Sequence, residues 1–314
     1  MTRLILTFDD SAAGGLKAAR VADCVIPFGL TFVWGKVRSP GELDLLLSPR
    51  SARREASGAH WLDNLTGARL QAARSHGPGL IEFCERFEAV ELWIDPEPNA
   101  QLQLIWLLDL FRPHANVTSR LSLIQMDFSI GDHLSNELAA WRLQAIPIGN
   151  THLETASAAW AAWRSPTPEA WFDLLARDVS ALPQLRNSII SLLEELPMRN
   201  TGLGATEMRM LELISADHIH PYDVFPGHKK FNERRVFGYW VVGALLDGLA
   251  HCPAPVVTGL DERPFDLEMH EDRHRHERYK RSGLRRPNLA RPSWPKLTIL
   301  AGTTRSIAGG AAPN

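Results

Sequence analysis

Three short apolar runs in this chain end in carboxylates: "RLILTF" at Asp9 and Asp10, "AVELWI" at Asp95, and "SRLSLIQM" at Asp127. Acid in that position invites chemistry, because ligands of open parallel sheets bind in the crevice beyond the carboxyl ends of the strands. After the first pair comes "SAAGG", small enough to let a ligand reach the free N–H groups at a helix N-terminus. The turn lacks the GxGxxG and GxxxxGK[ST] spacings and holds no lysine, and two carboxylates repel a bare phosphate. It suits a hydroxyl-rich or amine-bearing ligand, or a phosphate bridged by a divalent cation. The architectural alternative is that Asp10 or Ser11 only caps the helix, with Ala12, Ala13, Gly14 and Gly15 chosen for close packing. On sequence both readings stay open.

The second acid leads into "PEPNAQLQL". Asn99 is a candidate N-cap, and Gln101 and Gln103, two residues apart, cannot share one helix face. One of them belongs in the first turn near the strand ends. Surface decoration is the bland fate of either.

These residues need a sheet to position them, and the chain supplies a pattern for one. "RLILTF" is continuously apolar, as in a strand buried on both faces, and "SAAGGLKAARV" follows as a helix. "DCVIPF" and "LTFVWGKV" read as further extended pieces, and "SPGELDLLLSPRSARREASGAHWLDNL" reads as helical with a polar break. After "AVELWI", "AQLQLIWLLDLF" is apolar nearly all round and so a buried helix; "SRLSLIQMDF" is a further strand. Strands alternating with helices predict a Rossmann-like, mostly parallel α/β domain over residues 1–150. A mainly helical domain follows over residues 151–262, then a basic, disordered tail over 263–314. In the helical part Thr167 is the candidate N-cap of "SPTPEAWFDLLARD", and Trp160, Trp163 and Trp171 form a packing seam.

Composition narrows the function classes. The chain has 314 residues, 45% hydrophobic and 22% charged, ordinary for a folded protein of one or two domains. Cys24, Cys84 and Cys252 lie far apart and make no CxxC motif, which favours a reducing cytosol; the first two sit in apolar surroundings, as core residues do. The N-terminus does not read as a signal peptide, and no apolar stretch approaches the roughly 20 residues that span a bilayer. A cytoplasmic protein without a membrane partner is expected. Nine Lys/Arg against one Glu make residues 273–296 +8, so the rest carries -10 of the net -2. That asymmetry does not describe a nucleic-acid-binding protein throughout.

A family resemblance rests on "LTFDDSAAGGLKAA", "LWIDPEPNAQLQLIWLLD" and "LPQLRNSIISLLEELP...TGLGATE". Together they resemble the bacterial proteins grouped as domain of unknown function 1835 with their helical companion domain, over most of residues 4–280. Asp10, Ser11, Gly14, Asp95, Gln101 and Gln103 match the recurrent signatures of that family. The resemblance implies the domain layout and highlights these residues, and it implies no reaction. It also implies a tryptophan-rich C-terminus with a Trp-Gly-Gly-Thr stretch. Codons for Gly309 to Pro313 can spell that stretch when read two bases along, so the tail reads as a frameshifted version of it.

Other motifs weigh less. His270 to His274 fits the HExxH zinc pattern literally, with Glu271 as base, yet charged residues crowd both histidines and no third ligand follows. A solvated basic helix is the preferred reading. His114, His133, His218, His220 and His228 lack metal-ligand spacing. "TGLGATEMRMLELI", "NERRVFGYWVVGALLDGLA" and "PAPVVTG" could build a winged helix-turn-helix with Lys229, Lys230, Arg234 and Arg235 toward phosphates. The candidate recognition helix is too apolar to read bases, so a packing or dimerisation module is preferred.

The expected site is therefore Asp10 and Asp95 as the catalytic pair, with Asp9, Ser11, Gly14, Asn99, Gln101 and Gln103 holding the ligand. No residue is assigned to a metal, and the cofactor is unknown. The expected function is binding of a small polar, nucleotide-like or hydroxyl-rich ligand, as an enzyme or a binding protein. The alternative is a regulator whose winged-helix-like domain binds DNA or a partner protein.

Overall fold

The computed structural model describes residues 2–49, 60–61, 78–227, 232–233 and 235–287. Five strands form one sheet: β1 (Arg3–Thr7), β2 (Cys24–Pro27), β3 (Ala89–Ile94), β4 (Leu121–Gln125) and β5 (Ile146–Pro147). Their order is β2-β1-β3-β4-β5, with the first four parallel and β5 antiparallel at the edge. The expected α/β architecture with a helical region is what forms. "LTFVWGKV" is the exception: it makes no strand, because its backbone is spent on side chains, as described below. Of "SPGELDLLLSPRSARREASGAHWLDNL", residues 50–59 and 62–65 lie outside those described.

The helices among the described residues are α1 (Asp10–Ala19), α2 (Pro40–Leu47), α3 (Leu80–Cys84), α4 (Pro98–Phe111), α5 (Ala115–Thr118), α6 (Ser135–Ala140), α7 (Asn150–Trp163) and α8 (Glu169–Leu175). They continue with α9 (Leu185–Glu194), α10 (Ala205–Ser215), α11 (Pro221–Val224), α12 (Tyr239–His251), α13 (Leu267–Glu271) and α14 (Arg273–Arg281). The chain divides into two compact units, the first reaching Ile189 and the second starting at Ile190.

In the first unit, alternation along the strands divides the side chains between two layers. Ile5, Val25, Trp93 and Ile124 face Ala12, Ala13 and Leu16 of α1 and Leu138 of α6. Leu138 explains part of the small-residue string: a Cβ on Gly15 would lie 2.8 Å from its Cδ1. α4 is buried along nearly its whole length, and α7 packs on it. Phe32 bridges the two, edge-on to Trp106 at 5.6 Å and to Trp160 at 5.3 Å. Trp163 meets Trp171 at 6.0 Å, so these two pack together, while Trp160 packs on Phe32. Thr167 is not the cap of α8; Pro168 is, without a side-chain hydrogen bond.

In the second unit a buried carboxylate organises a helix start. Glu195 is 2% exposed and accepts from the Thr206 N–H at 3.0 Å and the Thr206 hydroxyl at 2.6 Å. The N–H groups of a first helical turn lack intrahelical partners, and Glu195 supplies one. A Cβ on Gly204 would lie 2.7 Å from the Glu195 carbonyl, so "TGLGATE" is built around that acid. "PAPVVTG" contributes a single antiparallel bridge, Thr258 to Arg285. The basic stretch is folded as far as it is described. α13 and α14 lie within it, Met269, Tyr279 and Leu284 are fully buried, and Arg275 and Arg278 both pair with Glu262. The expectation of a disordered tail is corrected for residues 263–287, where buried side chains and ion pairs hold the chain. The frameshift reading concerns residues outside those described.

Candidate functional site

A sheet of order 2-1-3-4-5 has one topological switch point, between β1 and β3, because the chain leaves β1 in opposite directions on its two sides. The carboxyl ends of these two strands are therefore where a ligand crevice belongs. β1 and β3 pair in parallel with Leu6 opposite Leu92, and that register carried three residues on sets Asp9 opposite Asp95. Both acids leave their strands at that point.

Asp95 is 6% exposed. One carboxylate oxygen accepts the Ile130 N–H at 2.9 Å. Burial pushes the carboxyl up to about 7; the Ile130 bond opposes the rise, and the charges of Glu97, Asp9 and Asp132 reinforce it. A carboxyl poised there can take or give a proton near neutral pH, as a general base must. Glu97, Asp132 and Ser129, whose hydroxyl donates to Glu97, were not picked out on sequence. Pro96 and Pro98 flanking Glu97, which fix the turn, were the available signal.

Asp9 is the helix cap, a role the sequence reading gave to Asp10 or Ser11. Its backbone is extended and its side chain accepts the Ala12 N–H at 2.6 Å. Asp10, Ser11 and Gly14 are exposed on the first turns of α1. The groups whose charges raise the Asp95 carboxyl are Glu97, Asp9 and Asp132, so the structure couples Asp95 to Asp9 rather than to Asp10. Residues 129–132 lie across both acids. While Ile130 bonds Asp95, the Gly131 backbone lies so near that a Cβ there would be 2.7 Å from Asp9 Oδ2 and 3.0 Å from Ser11 Cβ.

The residues after Asp95 divide in three ways. Asn99 is not the cap of α4, which begins at Pro98 after Glu97. Its amide oxygen instead accepts from Phe32 N–H at 2.8 Å and Val33 N–H at 3.4 Å, and its NH2 donates to Leu30 at 2.9 Å. Those bonds consume the backbone groups that "LTFVWGKV" would have needed for a strand. Gln101 is buried, and its NH2 donates to the Asp95 carbonyl at 2.8 Å and to Gln125 at 3.1 Å. Gln103, about 200° further round the helix, is fully buried, and neither end of its amide has a hydrogen-bond partner among the described residues. Surface decoration is wrong for both glutamines. Asp127 is exposed and accepts from Gln184 at 2.7 Å.

The remaining motifs are accounted for locally. Cys24 and Cys84 are buried, and burial pushes the Cys84 thiol far up, so it is not a nucleophile. Arg235 folds back to donate to the Gly227 carbonyl at 2.8 Å; His228, Lys229, Lys230 and Arg234 lie outside the described residues. The HExxH pattern does not lie on one helix, because α13 ends and Asp272 caps α14. Among the described residues no three His, Cys, Asp or Glu side chains converge as a metal site. No helix among them is long and apolar enough to cross a membrane. No protein-family model matches the chain, and no curated protein matches it.

Proposed function

We propose that the first unit binds a small polar ligand, hydroxyl-bearing or nucleotide-like, at the carboxyl ends of β1 and β3, with Asp95 as its proton-accepting group. The observation that carries this reading is the Asp95 carboxyl. It is buried, held near neutrality and crowded by Glu97, Asp9 and Asp132, at the switch point of the sheet. Asp9, half-exposed, serves instead as the cap of α1. In this reading Asp10, Ser11 and Gly14 form the exposed lip. Gln101 positions the Asp95 backbone, and Asn99 holds residues 30–33 in place. The ligand supplies a hydroxyl or cationic group to Asp95.

A thermal-shift panel of nucleotides and sugars, with and without Mg²⁺, tests it directly. A hit raises the melting temperature by mass action, and Asp95→Asn removes the shift while melting no earlier than the wild type. A panel without any hit, or equal affinity in the variant, overturns the proposal.

A further inference from the structure

The second unit holds four donor side chains that the sheet-edge site does not use. The Tyr222 hydroxyl lies 2.7 Å from the Tyr239 hydroxyl and 2.8 Å from His276 Nε2. The His276 ring meets His270 with centroids 4.2 Å apart. The His270 ring stands edge-on to Tyr239 at 6.0 Å, which closes the circle. Trp240, 44% exposed, flanks His270 on the side open to solvent, and Phe225 and Phe265 pack beneath the tyrosines.

The circle exists because the basic stretch breaks. On one continuous helix His270 and His276 would be about 120° apart round the axis and about 9 Å apart along it, so their rings would not meet. Asp272 ends α13 and starts α14, accepting the His274 N–H at 2.9 Å and the Arg275 N–H at 3.1 Å. That break removes the single face an HExxH site requires and turns His270 onto His276 instead.

We propose that Tyr222, Tyr239, His270 and His276 form a binding site for divalent copper. Two imidazoles and two phenols are an N,O donor set, which suits a tetragonal Cu(II) centre, and copper(II) leads the divalent first-row ions in affinity for such ligands. Ligands about 2.0 Å from a metal at right angles to each other are about 2.8 Å apart, the spacing of Tyr222 from both its neighbours. No carboxylate is among the four donors, which disfavours Mg²⁺ and Ca²⁺. The cations around the site are offset: Lys280 pairs with Glu277, and Arg275 and Arg278 pair with Glu262.

A phenol ligates copper as the phenolate, so copper must displace the Tyr222 proton into solvent, and its binding strengthens as pH rises.

The test is a Cu²⁺ titration of the whole chain, read by visible absorption and electron paramagnetic resonance. Phenolate-to-copper charge transfer separates this site from adventitious copper on other histidines. The expected result is a band that saturates at one copper per chain, with proton release and hyperfine coupling to two nitrogens. Tyr222→Phe abolishes the band, and His270→Gln removes one nitrogen coupling. His114→Ala, at an unrelated histidine, changes neither. Copper bound without a phenolate band in the wild type overturns the proposal whatever the variants do, as does a band that survives Tyr222→Phe.

Discussion

Two acids leave neighbouring parallel strands at equivalent positions and are treated in opposite ways. Asp9, after β1, receives a helix N–H at 2.6 Å and remains half-exposed. Asp95, after β3, is buried, has the charges of Glu97, Asp9 and Asp132 around it, and has its carboxyl pushed up to about 7. A carboxylate at a strand end is thus one sequence signal with two physical outcomes. What separates them first is burial, since each accepts one backbone N–H, and second the source of that N–H, a helix start for Asp9 and the 129–132 segment for Asp95. α1 starts at once after Asp9, whereas α4 starts only at Pro98, which has no N–H to give.

The largest expected effect uses that difference. The Asp95 carboxyl titrates higher folded than unfolded, so between the two values the folded chain holds a proton that the unfolded chain has lost. Its contribution to stability is complete below the ordinary aspartate value, near pH 4, and is lost as pH rises through about 7. One pKa unit is worth about 1.36 kcal/mol, so the loss is about 4 kcal/mol. Asp95→Asn cannot ionise. Denaturation of wild type and variant should match near pH 4 and diverge in the variant's favour by pH 8. Parallel curves would mean that Asp95 is not the strained member of the pair.

The second effect tests whether one segment governs both acids. Gly131→Ala puts a Cβ within 2.7 Å of Asp9 Oδ2 and 3.3 Å of the Ala12 nitrogen that Asp9 caps. Overpacking of this kind costs about 1–3 kcal/mol. If residues 129–132 move outward to relieve it, the Ile130 bond to Asp95 lengthens too, and the Asp95 titration shifts further upward. A stability loss that leaves the Asp95 titration unmoved would separate the two ends of the crevice.

How much of this was legible in the sequence follows from the same contrast. The strands could be read because their apolar runs are local, and the converging acids because parallel crossovers bring strand ends to one edge. Which residue capped α1 was missed by one position, since Asp9, Asp10 and Ser11 are all competent caps and only the backbone decides. Surface decoration is the common fate of single glutamines because amide side chains are usually exposed, and the burial of Gln101 rests on partners at Asp95 and on Gln125, 24 residues away. Asn99 failed as a cap for a related reason: the partners of its amide lie more than 60 residues away. Capping and pairing by near neighbours show in a sequence, whereas long-range satisfaction of a polar group does not.

Gln101 and Gln103 repeat the comparison on a smaller scale. Gln101 has two hydrogen bonds and supports the strand end; Gln103 is equally buried and has none among the described residues. Burying an amide without partners costs about 1–3 kcal/mol in proteins. Gln103→Leu should therefore raise stability by roughly 1–2 kcal/mol, while Gln101→Leu lowers it by a similar amount, because the Gln125 amide then loses its donor. Urea midpoints of the two variants check the opposite signs. A loss of stability in Gln103→Leu would show that the amide has a bound partner, and would give it a place in the ligand site.

The smallest effect belongs to the turn that first drew notice, "FDDSAAGG". Asp9→Ala removes the cap of α1 and should cost about 1 kcal/mol, whereas Asp9→Asn keeps a capping oxygen and should cost only tenths. Asp10→Ala loses an exposed first-turn charge near the helix N-terminus, worth about 0.3–1 kcal/mol and screened by salt. Added salt should therefore shrink the Asp10 effect and leave most of the Asp9 effect, which is a hydrogen bond to a specific backbone group. Ligand binding reads the other role of the same pair. If the lip of the crevice contacts ligand through Asp10, Asp10→Ala weakens a hit from the thermal-shift panel more than Asp9→Asn does, despite the similar stabilities of the two variants. Equal affinity in both would leave Asp95 as the only acid of this edge that acts on a ligand, with the doubled aspartate serving as architecture.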